Sequence, residues 1–427
     1  MATFYSLNED ILLHIFNFLN DKNKLRLASV NKFLRLFLNH IYFNGLYNYK
    51  TIANLPYYHR FKRIRYMSNS IIIPPNITHL VFSCAFYKRI KSPCIIDGQN
   101  RYENITHLRF GHGYNQPLIK DIFPNVIHLT LGENYFQPLV TKNLFPKVTH
   151  LKFGYHYDEP VIIKEVFPNV THLEFGHMFN QSLKDNLPNS LISLRLGYKF
   201  NQSLKDNLPN SLISLRLGYK FNQSIKYSLP ENIKYLIFSD KFNQSIENSI
   251  PSGVKSLIFG YKFNRSIRNN IPYGVKYLSF CRKFNQPIID SIPDSVKTLC
   301  FGNNFNQSIQ YAIPKKIKHL AFGDKFNKPI NNAIPNSVKC LIFGRKFNQS
   351  IKECIPFGIE KLIFGDNFNK PIVDAIPNSI TYLKFGKDFK QSIEKCIPDS
   401  VQILVLEKSF YKKNKQYINP NIRIEII

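Results

Sequence analysis

The chain has 427 residues, of which 44% are hydrophobic, and it contains 37 phenylalanines, 24 tyrosines and 25 prolines but no tryptophan. This apolar content is enough for a large core and excludes an intrinsically disordered chain. With 57 Lys and Arg against 28 Asp and Glu, the formal net charge is +29, which favours anionic partners such as nucleic acid, acidic or phosphorylated protein, or a lipid surface, without choosing among them.

The sequence carries no signal for secretion or membrane insertion. Its first residues include the acidic pair Glu9 and Asp10 and lack the early Lys or Arg of a signal peptide. No apolar run approaches the roughly 18 residues of a transmembrane helix, so we expect no membrane partner. The seven cysteines are scattered, odd in number and without a CxxC pair, which predicts free thiols in a reducing compartment. We therefore expect a cytoplasmic protein and leave the nucleus open.

Residues 6–38 contain three short helical patterns. Ser6 and Glu9 have the spacing of a capping box, which predicts a helix start. Apolar residues then recur at helical intervals, first as Ile11, Leu12, Ile15, Phe16 and Leu19, then as Leu25, Leu27, Ala28 and Val30, and last as Phe33, Leu34, Phe37 and Leu38. Three helices of this size bury little area, so the segment needs a partner or the adjoining chain for stability.

This N-terminal segment resembles an F-box, a motif with apolar positions spaced along three helices. The matching residues are Leu7, Ile11, Ile15, Phe18, Leu19, Leu25, Ala28, Val30, Lys32 and Phe33. The proline of the family is replaced here by Asn8. F-boxes dock on the Skp adaptor of a cullin-based ubiquitin ligase. The resemblance implies that the adaptor-binding residues are Leu7, Ile11, Ile15, Phe18, Leu19, Leu25 and Val30. A helical cap that closes the following array is the structural alternative.

The remainder of the chain repeats itself about every 21 residues. A Phe-Asn pair recurs at this spacing, with its phenylalanine at Phe179, Phe200, Phe221, Phe242, Phe263, Phe284, Phe305, Phe326, Phe347 and Phe368. A central leucine recurs sixteen times, and one wider interval of 28 residues, between Leu80 and Leu108, predicts an inserted loop within Lys88–Asn104. A degenerate opening turn is assigned to Phe61, Ile64 and Tyr66.

Each repeat combines a strand pattern with turn residues. In Val296-x-x-Leu299-x-Phe301, the Leu and Phe positions alternate with the period of two that is typical of a strand with one buried face. Gly302 then permits a turn, and the proline of each connection fixes an extended entry. Because 21 residues cannot bury this apolar set alone, neighbouring turns must stack into a repeat solenoid with one short parallel strand per turn.

Two other columns of this solenoid are interpreted as architecture. The phenylalanines of the Phe-Asn pairs are expected in the core, which leaves no ladder of rings for stacking on bases. The asparagines from Asn180 to Asn369 are expected to stack about 4.8 Å apart and to pair with the backbone of the next turn.

The Val-x-x-Leu-x-Phe pattern is similar to a leucine-rich repeat, and the whole unit resembles the FNIP repeat family, named for its Phe-Asn and Ile-Pro pairs. The resemblance covers residues 76–406 and implies a leucine-rich-repeat-like solenoid that serves as a substrate receptor. Proteins that pair an F-box with FNIP repeats are typical of social amoebae and of giant viruses of amoebae. A viral chain would use a host-encoded Skp adaptor in the host cytoplasm.

These assignments divide the chain into four parts. They are an F-box-like helical segment at 1–50, a linker and N-terminal cap at 51–75, repeats of about 21–22 residues at 76–406, and a C-terminal cap at 407–427.

Two columns of the repeats are candidates for binding a target protein. Six consecutive turns carry a lysine two residues before the central leucine, namely Lys234, Lys255, Lys276, Lys297, Lys318 and Lys339. These ammonium groups repel one another, and an acidic or phosphorylated target would relieve the repulsion. One residue after the central leucine, the later repeats carry an apolar stripe that includes Ile237, Ile258, Ile342 and Ile363. A merely solvated lysine face beside a stripe that belongs to the core is the alternative.

A histidine precedes the central leucine in five early repeats, as His79, His107, His128, His150 and His172. No Cys or carboxylate occupies matching positions, and zinc needs about four convergent ligands, so we expect no metal site and interpret the column as a stacked or pH-sensitive surface.

The sequence has no GxSxG, P-loop, HExxH or paired-cysteine motif and therefore offers no catalytic residue. We expect neither an enzyme nor a cofactor.

These features favour a substrate-recognition adaptor of a Skp–cullin–F-box ubiquitin ligase, in which the F-box docks the Skp adaptor and the repeats bind a target protein. The alternative is a basic repeat scaffold that binds nucleic acid or another polyanion and has no ubiquitin-ligase role. A purely structural scaffold, with the helical segment as its cap, is the third possibility.

Overall fold

In the computed structural model, the structure describes residues 8–427, which form two compact units, one up to Met178 and the other from Phe179. The first unit begins with three helices, α1 Glu9–Phe18, α2 Asp21–Ala28 and α3 Lys32–Leu36, followed by a short 3-10 turn at Phe37–Asn39. The three predicted helices are thus confirmed.

An asparagine caps each of these helices. Asn8 Oδ1 accepts a hydrogen bond from the Asp10 amide at 3.1 Å, and Asn20 Oδ1 accepts one from the Asn23 amide at 3.0 Å. Asn31 caps α3 in the same way. Ser6, the expected capping residue, lies outside the described residues, and α1 begins one residue after Asn8 instead.

The helical segment has its own small interior. Leu12, Phe16, Ala28, Leu34 and Phe37 are all at most 5% exposed. The rings of Phe16 and Phe37 stack with centroids 5.8 Å apart, so α1 packs directly on the end of α3.

The strands of the first unit belong to a parallel sheet. They are β1 Phe43–Asn48, β2 Phe61–Ser68, β3 His79–Phe82, β6 His107–Arg109, β7 His128–Thr130, β8 His150–Lys152 and β9 His172–Glu174. The remaining elements are α4 Tyr49–Ile52, a 3-10 turn at Tyr58–Arg60, the antiparallel pair β4 Ile95–Ile96 and β5 Gln99–Asn100, and α5 Ile163–Val166.

Two details of the early repeats bear on the sequence prediction. Tyr66 of β2 lies in register with Leu80 of β3, so the segment around Phe61 is a turn of the array, but the sheet opens one strand earlier, with β1, which pairs in parallel with β2. The β4–β5 pair falls inside the wide interval, where the inserted loop is expected.

The second unit continues with three-residue strands. They are β10 Ser193–Arg195, β11 Ser214–Arg216, β12 Tyr235–Ile237, β13 Ser256–Ile258, β14 Tyr277–Ser279, β15 Thr298–Cys300, β16 His319–Ala321, β17 Cys340–Ile342, β18 Lys361–Ile363 and β19 Tyr382–Lys384. The four-residue strand β20 Ile403–Leu406, α6 Lys408–Asn414, a 3-10 turn at Lys415–Tyr417 and β21 Arg423–Ile426 follow. Each strand pairs in parallel with the next, and the central leucines lie opposite one another, as Leu236 does with Leu257. The predicted solenoid with one short parallel strand per turn is confirmed.

Two columns of phenylalanine fill the core of the second unit. Phe242 and Phe263, from the Phe-Asn pairs, are fully buried with ring centroids 6.1 Å apart, while the ring centroid of Phe259 lies 4.1 Å from that of Phe263 in the same turn.

The asparagines of the Phe-Asn pairs form a continuous ladder from turn to turn. Asn222 Oδ1 accepts from the Asn243 amide at 2.8 Å, one turn away. Both predictions, a buried Phe column and an Asn ladder bonded to the backbone, are confirmed.

The glycine after most strands is required by close packing between turns. A Cβ on Gly302 would lie 1.8 Å from the carbonyl oxygen of Cys281 in the preceding turn.

The seven cysteines all fall within the described residues and are free thiols, as predicted. Among the described residues, no helix is long and apolar enough to cross a membrane.

Candidate protein-interaction surfaces

The helical segment presents an apolar face to solvent. Phe18 is 81% exposed and Val30 is 63% exposed, and Ile11 and Leu25 are exposed as well. Ile15 and Leu19 are half-buried, and Leu7 lies outside the described residues. Leu36 on α3, which is 62% exposed, is a further member that the F-box spacing did not predict. Large apolar side chains that remain this exposed to solvent are candidates for contact with a partner.

Local bonds hold this helical segment to the first strand of the sheet. Asp21 accepts hydrogen bonds from the Gly45 amide at 2.7 Å and from the Tyr47 hydroxyl at 3.0 Å. Burial opposes the charge on this carboxylate, but the backbone and tyrosine hydrogen bonds outweigh burial and lower the pKa of Asp21. The nearly buried Lys24 donates to the Tyr42 carbonyl at 2.7 Å and lies 3.6 Å from the Asp21 carboxylate.

The six predicted lysines, here called the N-edge lysine column, lie just before the strands. Four of them are exposed, while Lys234 and Lys339 are half-buried. Lys339 forms an ion pair of 2.9 Å with Glu360, which takes the same place in the next turn. The unbroken run of positive charge along this column therefore ends at Lys318.

The predicted apolar stripe lies on the strands themselves. Its members, Ile237, Ile258, Ile342 and Ile363, are half-buried. Beside the stripe, Tyr235 is 55% exposed and Tyr277 is 38% exposed. The sheet thus offers isoleucine and tyrosine to a partner. The isoleucines lie about three strand residues, or roughly 10 Å, along from the lysines, whereas Tyr235 and Tyr277 directly follow Lys234 and Lys276.

The histidine column forms a stack of imidazole rings. Successive centroids from His79 to His172 are 3.9, 4.2, 4.1 and 4.3 Å apart. Three of the four neighbouring ring pairs are within 13° of parallel and the pair His128 and His150 is tilted by 30°, so the rings stack face to face instead of converging on an ion. Four of the rings also have Nδ1 2.9 Å from the hydroxyl of the preceding threonine.

The stack lowers the basicity of its members. Burial, then the neighbouring imidazole and the guanidinium groups of Arg63 and Arg65, lower the pKa of His79 to about 4. Burial and adjacent rings likewise lower the pKa of His107 and of His150 to about 4, and lower that of His128. The column is thus stacked, as one of the two interpretations expected, and its sensitivity to pH stays a prediction.

A second lysine column, here called the C-edge lysine column, follows the strands of the second unit. It precedes the Phe-Asn pairs and comprises Lys199, Lys220, Lys241 and Lys262. These lysines line a shallow groove together with Asn180, Asn201, Asn222 and Asn243. This site was not predicted from the sequence, although the recurrence of Lys before Phe-Asn every 21 residues indicates it.

Comparison with known families agrees with this architecture. The FNIP Repeat family matches residues 103–134, 114–156, 179–220, 221–262, 263–304, 305–346, 347–388 and 372–409, which together make up more than half of the chain. The F-box domain family matches residues 4–44. Both resemblances predicted from the sequence are thereby confirmed.

Individual relatives are known from a giant virus. A protein of Acanthamoeba polyphaga mimivirus named as an F-box and FNIP repeat-containing protein is 31% identical over 103 residues, which cover 20% of this chain and 35% of that protein. Another mimivirus protein, named as an F-box protein, is 33% identical over 86 residues, covering 20% of this chain and 32% of its own length. The matches therefore span only about a third of these relatives.

A solved structure shares the fold of the repeats. The protein CroV588, described as a circular leucine-rich-repeat protein, superposes with a TM-score of 0.72 at 30% identity, covering 86% of this chain and 66% of that chain. The leucine-rich-repeat-like class predicted from the sequence is confirmed. The chain belongs to the FNIP repeat family and joins an F-box domain to a leucine-rich-repeat-like solenoid.

Proposed function

We propose that this protein is a substrate-recognition adaptor of a Skp–cullin–F-box ubiquitin ligase. The F-box segment, within residues 1–50, docks a Skp-type adaptor, and the repeats at 76–406 bind a target protein. The remaining segments, 51–75 and 407–427, close the two ends of the array. The adaptor acts in the cytoplasm of the cell that supplies the Skp adaptor and binds without catalysing a reaction itself.

One observation carries the docking step. The F-box segment divides its apolar side chains between a filled interior, which includes Leu12 and Phe16, and an exposed set, which includes Ile11 and Phe18 on α1 and Val30 between α2 and α3. An exposed apolar set of this kind gains free energy when a partner removes it from water. Leu7, Ile15, Leu19 and Leu25 complete the set that we assign to adaptor binding.

For the target, we assign the sheet face and its N-edge lysine column. The exposed lysines supply positive charge, and the isoleucine and tyrosine side chains supply apolar contact area, a combination that suits an acidic or phosphorylated protein. The binding residues are Lys234, Lys255, Lys276, Lys297, Lys318 and Lys339 together with Ile237, Ile258, Ile342 and Ile363. Since Lys339 is already paired with Glu360, we expect it to contribute least.

A pull-down with a purified Skp-type adaptor tests the docking step. The variant combines Phe18→Asp with Val30→Asp, and its matched control combines Val140→Asp with Ile72→Asp, because Val140 and Ile72 are 78% and 62% exposed. We expect the first pair to weaken adaptor binding about 100-fold or more, since a carboxylate buried against an apolar surface costs several kcal/mol. The control pair should bind like the unmodified chain.

Two outcomes would count against the proposal. Undiminished adaptor binding by the Phe18→Asp and Val30→Asp variant would show that these side chains are not the contact. If the unmodified, folded chain binds no Skp-type adaptor but binds oligonucleotides with an affinity that falls linearly in a log–log salt plot, the basic scaffold would replace the adaptor as its function.

A further inference from the structure

The groove beside the C-edge lysine column runs along four turns of the second unit. Its walls carry the ammonium groups of Lys199, Lys220, Lys241 and Lys262. Within the described part of the chain, no carboxylate forms an ion pair with any of these four lysines. Ammonium groups one turn apart, at a spacing of about 4.8 Å, repel one another, and an anion in the groove removes that repulsion.

The asparagines of the groove add a row of oriented donors. Asn201 Oδ1 accepts from the Asn222 amide at 2.8 Å, Asn222 Oδ1 accepts from the Asn243 amide at 2.8 Å, and Asn243 Oδ1 accepts from the Asn264 amide at 2.9 Å. These bonds fix the side-chain amides with the oxygen toward the backbone of the next turn. The Nδ2 groups of Asn201, Asn222 and Asn243 donate to no acceptor among the described residues, so they remain available to a ligand oxygen.

The groove is therefore rich in donors and positive charge, and no carboxylate is among the side chains that line it. Asp240, the carboxylate next in sequence to Lys241, accepts from the Tyr261 amide at 3.3 Å. Such a lining suits a linear ligand with several carboxylates, because each oxygen meets an ammonium or an amide donor.

The rings near the groove disfavour single-stranded nucleic acid as that ligand. No aromatic side chain lines the groove. The nearby Tyr219 ring stacks on Tyr198 at 4.4 Å and also lies 5.5 Å from the Lys241 ammonium. Binding of single strands relies on aromatic faces that are open to bases, and Tyr219 already has both of these neighbours.

We propose that this groove binds an extended acidic segment of a polypeptide. Four turns at about 4.8 Å per step span roughly 14 Å, which corresponds to about five residues of extended chain. The inference rests on the proposed function only in taking the segment to belong to a target protein. The groove lies past the ends of the strands, whereas the N-edge lysine column precedes them, so it constitutes a second recognition surface on the same repeats.

Binding of a labelled peptide of about six glutamates to the full-length chain tests the groove, with thymidine oligonucleotide of similar length as the competing probe. The groove variant changes Lys199, Lys220, Lys241 and Lys262 to Gln. Its matched control changes Lys184, Lys205, Lys226 and Lys352 to Gln, which removes the same charge from exposed positions on the connecting segments. We expect the groove variant to bind the peptide about tenfold more weakly or worse, and the control to change affinity less than about twofold.

A second variant tests the asparagine donors without breaking the ladder. In Asn222→Asp with Asn243→Asp, a carboxylate oxygen still accepts from the next backbone amide, but the Nδ2 donors are lost and negative charge enters the groove. We expect the circular dichroism spectrum to be unchanged and peptide binding to fall about tenfold.

The outcomes decide between the groove and simpler explanations. Equal losses of peptide affinity in the groove and control lysine variants would mean that only net charge matters, and would overturn the proposal. The proposal would also be overturned if neither groove variant changed the peptide affinity, or if the unmodified chain did not bind the peptide. Tighter groove-dependent binding of the oligonucleotide would assign the groove to nucleic acid instead. Because no Skp-type adaptor is present in these measurements, none of these results bears on F-box docking.

Discussion

At the scale of single residues, the contact between Asp21 and Lys24 lies where the F-box helices meet the first strand of the sheet. Lys24 is only 2% exposed, and its ammonium group has the Tyr42 carbonyl and the Asp21 carboxylate as partners. A buried ammonium that loses its carboxylate is left with uncompensated charge, which is strongly unfavourable.

We expect Asp21→Ala to lower the free energy of local opening around α2 and β1 by about 2–3 kcal/mol, since it removes the hydrogen bonds from β1 and the charge partner of Lys24. Native-state hydrogen exchange of the α2 and β1 amides measures this change. Asp10→Ala, at an exposed position on α1, serves as the control. Unchanged exchange rates in the Asp21 variant would mean that the interior of the helices holds the segment without this contact.

Another residue-scale feature is a column of left-handed backbone conformations, one per turn in the second unit. The residues with φ between 48° and 59° there are Asp185, Asp206, Tyr227, Asn248, Asn269, Asp290, Tyr311, Asn332, Glu353, Asp374 and Lys395. Asp and Asn tolerate this region best, so the tyrosine, glutamate and lysine members are strained.

Tyr311 offers a clean test of that strain because it is 85% exposed and has φ of 56°. We expect Tyr311→Gly to stabilise the protein by about 0.5–1 kcal/mol, since glycine adopts positive φ without a Cβ clash. Urea unfolding followed by circular dichroism gives the difference. Tyr273→Gly, at a residue that is 75% exposed and lacks positive φ, should destabilise the protein instead; stabilisation by both changes would refute the explanation.

At the scale of elements, the histidine stack makes the sheet of the first unit sensitive to acid. The folded-state pKa of His79, His107 and His150 is about 4, below the value of about 6.5 in an unfolded chain. The unfolded state therefore binds more protons between these values. The stability that these neutral imidazoles contribute is fully present above about pH 6.5 and is lost as the pH falls toward about 4.

We expect the double variant His107→Gln and His128→Gln to show a shallower loss of stability over that pH range, because Gln cannot accept the proton. Urea unfolding at several pH values between about 7 and 4 measures the slope. The control is His319→Gln, at the same position of a repeat whose neighbouring strands carry Thr298 and Cys340 instead of histidine. If the double variant keeps the slope of the unmodified chain, the stack is not the source of the acid sensitivity.

The sequence predicts the strands well because burial of Leu and Phe at alternate positions is a local pattern. It predicts the exposure of the flanking lysines less well. Val254 and Leu257 are both buried, and the two residues between them, Lys255 and Ser256, both lie outside the core. A strict alternation of buried and exposed positions would bury one of these two residues. Both residues lie where the connecting segment enters the strand, and this placement follows from the stacking of turns and not from the pattern within one turn.

The C-edge groove shows the same limit of prediction. Lys220 and Asn222 follow the strand in a turn that has no hydrophobic period of its own, so nothing in one repeat indicates a site there. Only the register of neighbouring turns brings Lys199, Lys241 and Lys262 alongside Lys220. The exposed apolar residues Phe18 and Val30 could be predicted because the F-box spacing lies within one short segment.

At the scale of the whole molecule, each turn of the second unit contributes a similar set of contacts. The segments Phe179–Lys199 and Phe200–Lys220 are identical in sequence, and their strands pair through Leu194 and Leu215. In such arrays the stability is close to a sum of repeat and neighbour terms. The length of the array should then be adjustable in whole turns and in nothing smaller.

We expect the deletion of residues 200–220 to leave a folded chain, because Lys199 would then precede Phe221 in the same register as it now precedes Phe200. One turn of core is lost, so the urea m-value of the second unit should fall by roughly a tenth, in proportion to the surface buried. Circular dichroism and urea unfolding check both points. Deletion of residues 200–210 is the control, because it removes about half a turn and shifts the later repeats out of register with the earlier ones. The polar segment that follows each phenylalanine would then lie where the core requires Leu and Phe, so this chain should misfold or aggregate. Equal behaviour of the two deletions would mean that the register of neighbouring turns, on which both lysine columns depend, is not what specifies the fold.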